Sequence, residues 1–222
     1  MTELEALTTL LTRRHSCRAF KPDPVPHEDI EQIVATARHA PSWCNAQPWH
    51  LVITENEATD RFRKALQVEV GKGPASLDLE GPEGYPGIYG DRRRTCGWQL
   101  YDAVGVEKGD RAASAAQMMR NFALFDAPHV AILTSPRALG GYGAMDSGGF
   151  VIAFTLAAQA LGIDTIPQAA VANYAEFVRR WFELEDDRMV LCAISFGYGD
   201  KEHPANSFRT ERADLSEIVT WV

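Results

Sequence analysis

Leu4, Leu7, Leu10 and Leu11 recur at the spacing of one helical face and predict a helix over about Glu3 to Arg13. Arg13 and Arg14 suit its C-terminal end, where cations complement the helix dipole. Pro22, Pro24 and Pro26 then force an extended connection, since each fixes its own φ and biases its predecessor away from helix. Ile30, Ile33, Val34 and Ala37 predict a second helix from His27 to His39, stopped by Pro41, with a strand to follow at Trp49 to Thr54. From Gly71 to Gly97 glycine and proline are dense and no period is sustained, which predicts an irregular excursion. A loop that long inside a compact domain reads as a lid or binding loop, with Trp98, Leu100 and Tyr101 placed to cover a pocket.

Beyond it the pattern predicts a helix at about Arg111 to Phe125 and an apolar strand from His129 to Thr134. A glycine turn at Gly140 to Gly143 precedes Asp146, which reads as the N-cap of a long helix of small residues ending at Leu161. Ile163 to Ile166 reads as extended, Tyr174 to Leu184 as a helix and Met189 to Phe196 as an apolar strand. Helices and strands mix without strict alternation, so the expected class is α+β with a central, mostly antiparallel sheet flanked by helices.

The 222 residues suit one domain, with a variable lid or insertion at about 71–110. Twenty-two Lys and Arg against 30 Asp and Glu leave a net charge of −8, which disfavours nucleic acid and anionic membrane as partners. An anionic ligand must then be held by local arginines. Four scattered cysteines, with no CxxC pair, argue against a disulfide scaffold or structural zinc and suit a reducing, cytoplasmic setting. No apolar run approaches the roughly 18 residues of a membrane span, and the N-terminus lacks a signal-peptide core. Six histidines contain no HExxH, and no metal site is expected. Gly141-Tyr142-Gly143 fails the GxGxxG template, and neither a P-loop nor a GxSxG elbow is present.

Three constellations remain. Arg14-His15-Ser16-Cys17-Arg18 offers two guanidiniums and a hydroxyl that can converge on an anion, or else a basic helix end. Pro41-Ser42-Trp43-Cys44-Asn45-Ala46-Gln47-Pro48-Trp49 brackets polar side chains between prolines. The Asn45 and Gln47 amides complement a ligand edge of alternating carbonyl and N–H groups, such as a flavin pyrimidine, or else satisfy local backbone in a turn. Asn206 to Arg212 carries Arg209 and Arg212, either a second anion-binding arm or a solvated tail.

In these residues the chain resembles the FMN-dependent nitroreductase family, whose members open with R-x-S-x-R and follow with P-S-x-x-N-x-Q-P-W. The likeness extends through Asp126-Ala127-Pro128-His129, the glycine-rich start of the long helix, Leu161-Gly162 to Gln168 and the terminal arginines. The resemblance implies a nitroreductase-like fold and an intertwined homodimer with FMN bound at two sites across the interface. It implies that Arg14, Ser16 and Arg212 lie at the FMN phosphate, with Arg209 as a second candidate, that His15 is a further cofactor-binding residue, and that Arg18 supports the charge of the reduced ring. Pro41, Ser42, Trp43, Asn45 and Gln47 would contact ring and ribityl chain, and Ile166, Pro167 and Gln168 would face flavin N5.

The activity implied is hydride transfer from NADH or NADPH to a small aromatic acceptor, a nitroarene first and a quinone second. The flavin does the redox chemistry, and no side-chain nucleophile or general base is expected. Two alternatives stand beside this: a flavoenzyme of the same fold with another acceptor chemistry (reductive dehalogenation, ene reduction or flavin modification), and a non-catalytic flavin-binding protein. Arg92, Arg93 and Arg94 would suit a carboxylated acceptor, or form a solvated surface run.

Overall fold

The computed structural model describes residues 1–72 and 76–222. In chain order the helices are α1 (Glu3–Arg13), α2 (His27–Ala37), α3 (Glu57–Val70), α4 (Ile88–Ala103), α5 (Arg111–Met119), α6 (Gly140–Ala160), α7 (Ala169–Ala172), α8 (Ala175–Trp181) and α9 (Leu215–Ile218). Between them run the strands β1 (His50–Glu55), β2 (His129–Pro136), β3 (Asp164–Gln168) and β4 (Arg188–Gly197). The strands form one sheet in the order β1-β2-β4-β3, and every neighbouring pair is antiparallel.

β2 carries an unbroken apolar run, Val130 to Leu133, and is buried from His129 to Ser135 because helices cover both of its faces. Val130 and Ile132 turn toward one core with Phe62 and Leu66 of α3 and Val178 of α8. Ala131 and Leu133 turn to the other, with Ile30 and Ile33 of α2 and Phe150 and Phe154 of α6. The result is three layers, helix on sheet on helix, with α6 against β2, β3, α2 and α1.

Several expectations change here. The glycines at 140–143 do not form a turn: α6 begins at Gly140, and Asp146 lies inside the helix instead of capping it. Close packing requires the glycine, since a Cβ on Gly143 would stand 2.6 Å from the Ser135 hydroxyl. α5 stops at Met119, short of the expected Phe125, and the chain beyond it turns, with Leu124, Phe125 and Asp126 all at positive φ. α3 carries only a short buried stripe, Thr59, Phe62 and Leu66, too brief to stand out in the sequence pattern. The irregular excursion is helical from Ile88 onward as α4, and its part at 73–75 lies outside the described residues. Arg92 pairs with Glu217 at 2.9 Å, Arg94 pairs with Asp91, and Arg93 lies over the Tyr85 ring. Arg92 and Arg94 are thus paired with carboxylates on the surface, whereas Arg93 meets an aromatic ring.

Candidate functional site

The segment after α1 is stitched into the sheet edge. Ser16 bridges Thr165 of β3 in parallel fashion, and the Cys17 N–H donates to the Thr165 carbonyl at 3.0 Å. Asn206, buried and 188 residues away, pins the C-terminal segment on top. Its Oδ1 accepts the Arg18 N–H at 2.7 Å, and its Nδ2 donates to the carbonyls of Ala19 at 2.9 Å and Asp200 at 2.7 Å. One buried amide thus brings the first and third constellations together.

Between them opens a cavity of about 680 Å³, in the size range of sites that hold cofactors. Arg14, His15, Ser16 and Arg18 form one wall, and Phe208, Arg209, Thr210 and Arg212 the facing one. Pro167 of β3 and Ile152 and Thr155 of α6 line it as well, together with Cys96 of α4. The Arg18 guanidinium lies 5.8 Å from the Phe208 ring centroid and donates to the Ser16 carbonyl at 3.2 Å. Arg209 and Arg212 donate to backbone carbonyls of their own segment, which fixes their heads without neutralising them.

Charge is the cavity's defining property. Among the described residues none of the ion pairs involves Arg14, Arg18, Arg209 or Arg212. Burial lowers the Arg14 pKa from its ordinary value, and the neighbouring charge of Arg212 lowers it further. Burial likewise lowers that of Arg18. The His15 ring is pushed below the usual histidine range first by burial and then by Arg209. Cations that repel one another in a half-buried cavity are stabilised by an anion, and forked guanidiniums match phosphate oxygens. A groove of about 900 Å³ on the outer side of α4 lacks this character, because Asp91, Asp102 and Glu107 there face Arg94 and Lys108.

The remaining predicted residues divide. Pro167 lines the cavity, whereas Ile166 and Gln168 are buried beside it. The Gln168 side chain is engaged internally, donating to the Asn121 carbonyl at 2.7 Å and accepting from the Ser195 hydroxyl at 2.5 Å. Only its backbone is left for a ligand. The second constellation stands apart: no residue of 41–49 lines the cavity. Its loop holds a 3-10 turn at Trp43–Asn45, and Cys44, Asn45 and, beyond the turn, Gln47 adopt φ of 52°, 55° and 47°. For Cys44 and Gln47 that left-handed backbone costs roughly 1–2 kcal/mol each. The Ser42 hydroxyl accepts the Gln47 N–H at 2.9 Å.

Sequence reasoning missed the roles of Asn206 and Cys96. Asn206 stands in the third constellation, but nothing local marks it as the clamp on Arg18. Cys96 falls in the stretch that shows no period.

With the geometry in place, residues 11–198 match the model of the family described as "Nitroreductase family". The chain belongs to the nitroreductase family. Its relatives there include nitroreductase NfnB of Mycolicibacterium smegmatis, 35% identical over 218 residues, or 98% of this chain and 93% of the relative. Chloronitrobenzene nitroreductase of Comamonas testosteroni is 33% identical over 217 residues, covering 96% of this chain and 95% of the relative. The crystal structure of the FMN-dependent nitroreductase NfnB from Mycobacterium smegmatis in complex with NADPH superimposes with a TM-score of 0.95. That match is 34% identical and covers all of both chains, so the nitroreductase fold holds from end to end.

Proposed function

We propose that the protein is an FMN-dependent oxidoreductase that takes electrons from NADPH or NADH and reduces small nitroaromatic acceptors, working as a homodimer. The observation that carries this reading is the arginine cavity: four guanidiniums from the two ends of the chain, none paired with a carboxylate among the described residues, in a space of about 680 Å³. The donor set fits FMN. Arg14, Arg209 and Arg212 would hold the phosphate with the Ser16 hydroxyl, and the apolar wall of Ile152 and Pro167 would take flatter, less polar parts. FMN held there would supply the redox chemistry between nicotinamide and acceptor. The chain's part is to bind, orient and stabilise charge, with Arg18 offsetting the negative charge that develops at the pyrimidine end on reduction.

Two features support the homodimer. The cavity lacks the Pro41–Gln47 loop, whose amides suit a pyrimidine edge, so a second copy is needed to supply it. Apolar surface is also left over along α1 and α6: no residue of α1 is buried, Leu4 is 73% exposed, and Met145 of α6 is 64% exposed. Related chains carry the names 4-nitrobenzoate reductase and nitrobenzene nitroreductase, which favours nitroarenes over quinones as the acceptor. Among the described residues no helix is long and apolar enough to cross a membrane, and all four cysteines are free, which suits the cytoplasm.

The test is a visible spectrum of the purified protein under argon. Flavin bands that bleach with NADPH or NADH and return on addition of a nitroarene are expected. Flavin that neither nucleotide bleaches refutes the reductase reading, and failure to bind FMN on reconstitution refutes the cofactor.

A further inference from the structure

We infer that Asp146 is a positioning residue, whose carboxylate holds the Ser42–Gln47 loop in the geometry that meets the flavin ring; this rests on the functional reading above. Three left-handed residues within four positions persist only where their surroundings over-determine them. Inside the loop the Ser42 hydroxyl meets the Gln47 N–H. From outside, among the described residues, one side chain hydrogen-bonds to residues 42–47: Asp146 Oδ2 accepts the Trp43 N–H at 3.1 Å, across 103 positions of sequence. Tyr142, one helical turn before Asp146, packs edge-on to the Trp43 indole with centroids 4.2 Å apart. Trp43 is therefore gripped by its ring and by its N–H from one face of α6.

Asp146 makes no ion pair, and this contact is the one hydrogen bond of its side chain among the described residues. It also sits where local propensity opposes it, an aspartate inside a helix among Gly140, Gly141, Gly143, Gly148 and Gly149. A local choice that weakens the helix yet meets a strained loop points to a task outside the helix. The same helix carries Ile152 and Thr155 into the arginine cavity. α6 is thus a rigid bar joining the phosphate end of one site to the loop that completes the other site of the dimer.

The test compares FMN with riboflavin, which lacks the phosphate, in fluorescence titrations of the full-length protein stripped of flavin. Asp146→Ala is expected to weaken both flavins by the same factor, about tenfold, as loss of one charge-assisted hydrogen bond implies. Asp146→Asn keeps an acceptor oxygen and is expected to restore both to within about threefold of wild type. Arg14→Ala, in contrast, weakens FMN and leaves riboflavin unchanged, because its partner is the phosphate. Asp146→Ser, too short to reach Trp43, replaces the alanine variant if that one fails to fold by circular dichroism. Asp146→Ala within about twofold of wild type, or an Asn variant as weak as Ala, overturns the inference while the functional reading stands. A wild-type protein that takes up neither flavin overturns both.

Discussion

His129 should make the folded protein sensitive to mild acid. The residue opens β2 with its ring fully buried, stacked on Phe196 with centroids 5.1 Å apart. The Val25 N–H donates to Nε2 at 2.9 Å, so Nε2 keeps its lone pair and the proton sits on Nδ1, 3.4 Å from the Thr54 carbonyl. A second proton would set an N–H against an N–H inside the core. Burial accordingly pushes the pKa below the usual histidine range, with the Thr54 carbonyl and Glu55 offsetting only part of the shift. In the unfolded chain the ring titrates near about 6.5. Below that value the unfolded state takes up a proton that the folded state refuses, so the contribution is complete above it and is lost as pH falls.

If the folded ring stayed neutral throughout, the unfolded titration between pH 7.5 and 5.5 would remove about 1.4 kcal/mol, which is the ceiling for this residue. His15, also lowered, acts in the same direction, so the measurement is a difference. His129→Gln offers Oε1 to the Val25 N–H and does not titrate. Urea unfolding of both proteins at the two pH values and one protomer concentration should show wild type losing more stability than the variant, by up to about 1.4 kcal/mol. Equal losses would refute the buried, neutral assignment of His129.

Four further outcomes are expected. If Arg212 is the phosphate donor proposed above, Arg212→Ala should lower FMN affinity by about tenfold, the low end for a charged hydrogen bond, in a fluorescence titration, even though it also relieves Arg14; unchanged affinity would remove Arg212 from the site. The Asp78 carboxylate accepts from Arg179 at 2.6 Å and from the Val190 N–H at 2.8 Å, so Asp78→Ala leaves a partly buried guanidinium and a backbone N–H without their acceptor and should cost about 1–3 kcal/mol by urea unfolding. Burial alone would raise the Asp78 pKa, but the Val190 N–H, Arg179 and Arg137 outweigh it and hold it low. The stability this contact gives is therefore present above about pH 4 and lost as pH falls further, and a pH-independent Asp78 contribution would contradict it. A Cβ on Gly199 would meet Asp164 Oδ2 at 2.5 Å and Cys17 Sγ at 3.0 Å, so Gly199→Ala should destabilise by about 1–3 kcal/mol, and an unshifted melting temperature would show that this floor yields freely. Burial pushes the Cys17 thiol up to about 12, so an aromatic disulfide reagent at pH 8 should leave it unmodified until the protein is unfolded; rapid labelling of Cys17 in the native state would contradict its burial.

Elements with a strong one-dimensional signature are legible in the sequence. α1 and α2 carry clean apolar stripes, and β2 and β4 are short, apolar runs that a sheet covered on both faces requires. α4 leaves no such trace, because Ile88, Tyr89, Cys96, Trp98, Leu100 and Tyr101 are distributed around it and no single face is buried. The start of α6 misleads for a related reason. Its glycines look like a turn to a local rule, yet contact with Ser135 and Leu139 is what requires a glycine at 143.

Residue chemistry came from the sequence by itself: which side chains can bind a phosphate, which can face a pyrimidine edge, and that an acidic chain must concentrate its anion binding in a few arginines. Those are properties of the side chains and survive any arrangement of them. What only the tertiary structure decided is which groups meet. Arg14 and Arg212 share a cavity because Asn206 clamps the two chain ends, whereas the Ser42–Gln47 loop, much nearer in sequence, is held away from it by Asp146 and Tyr142. Long-range hydrogen bonds and packing against α6 set those distances, and neither is encoded in any local period of the chain.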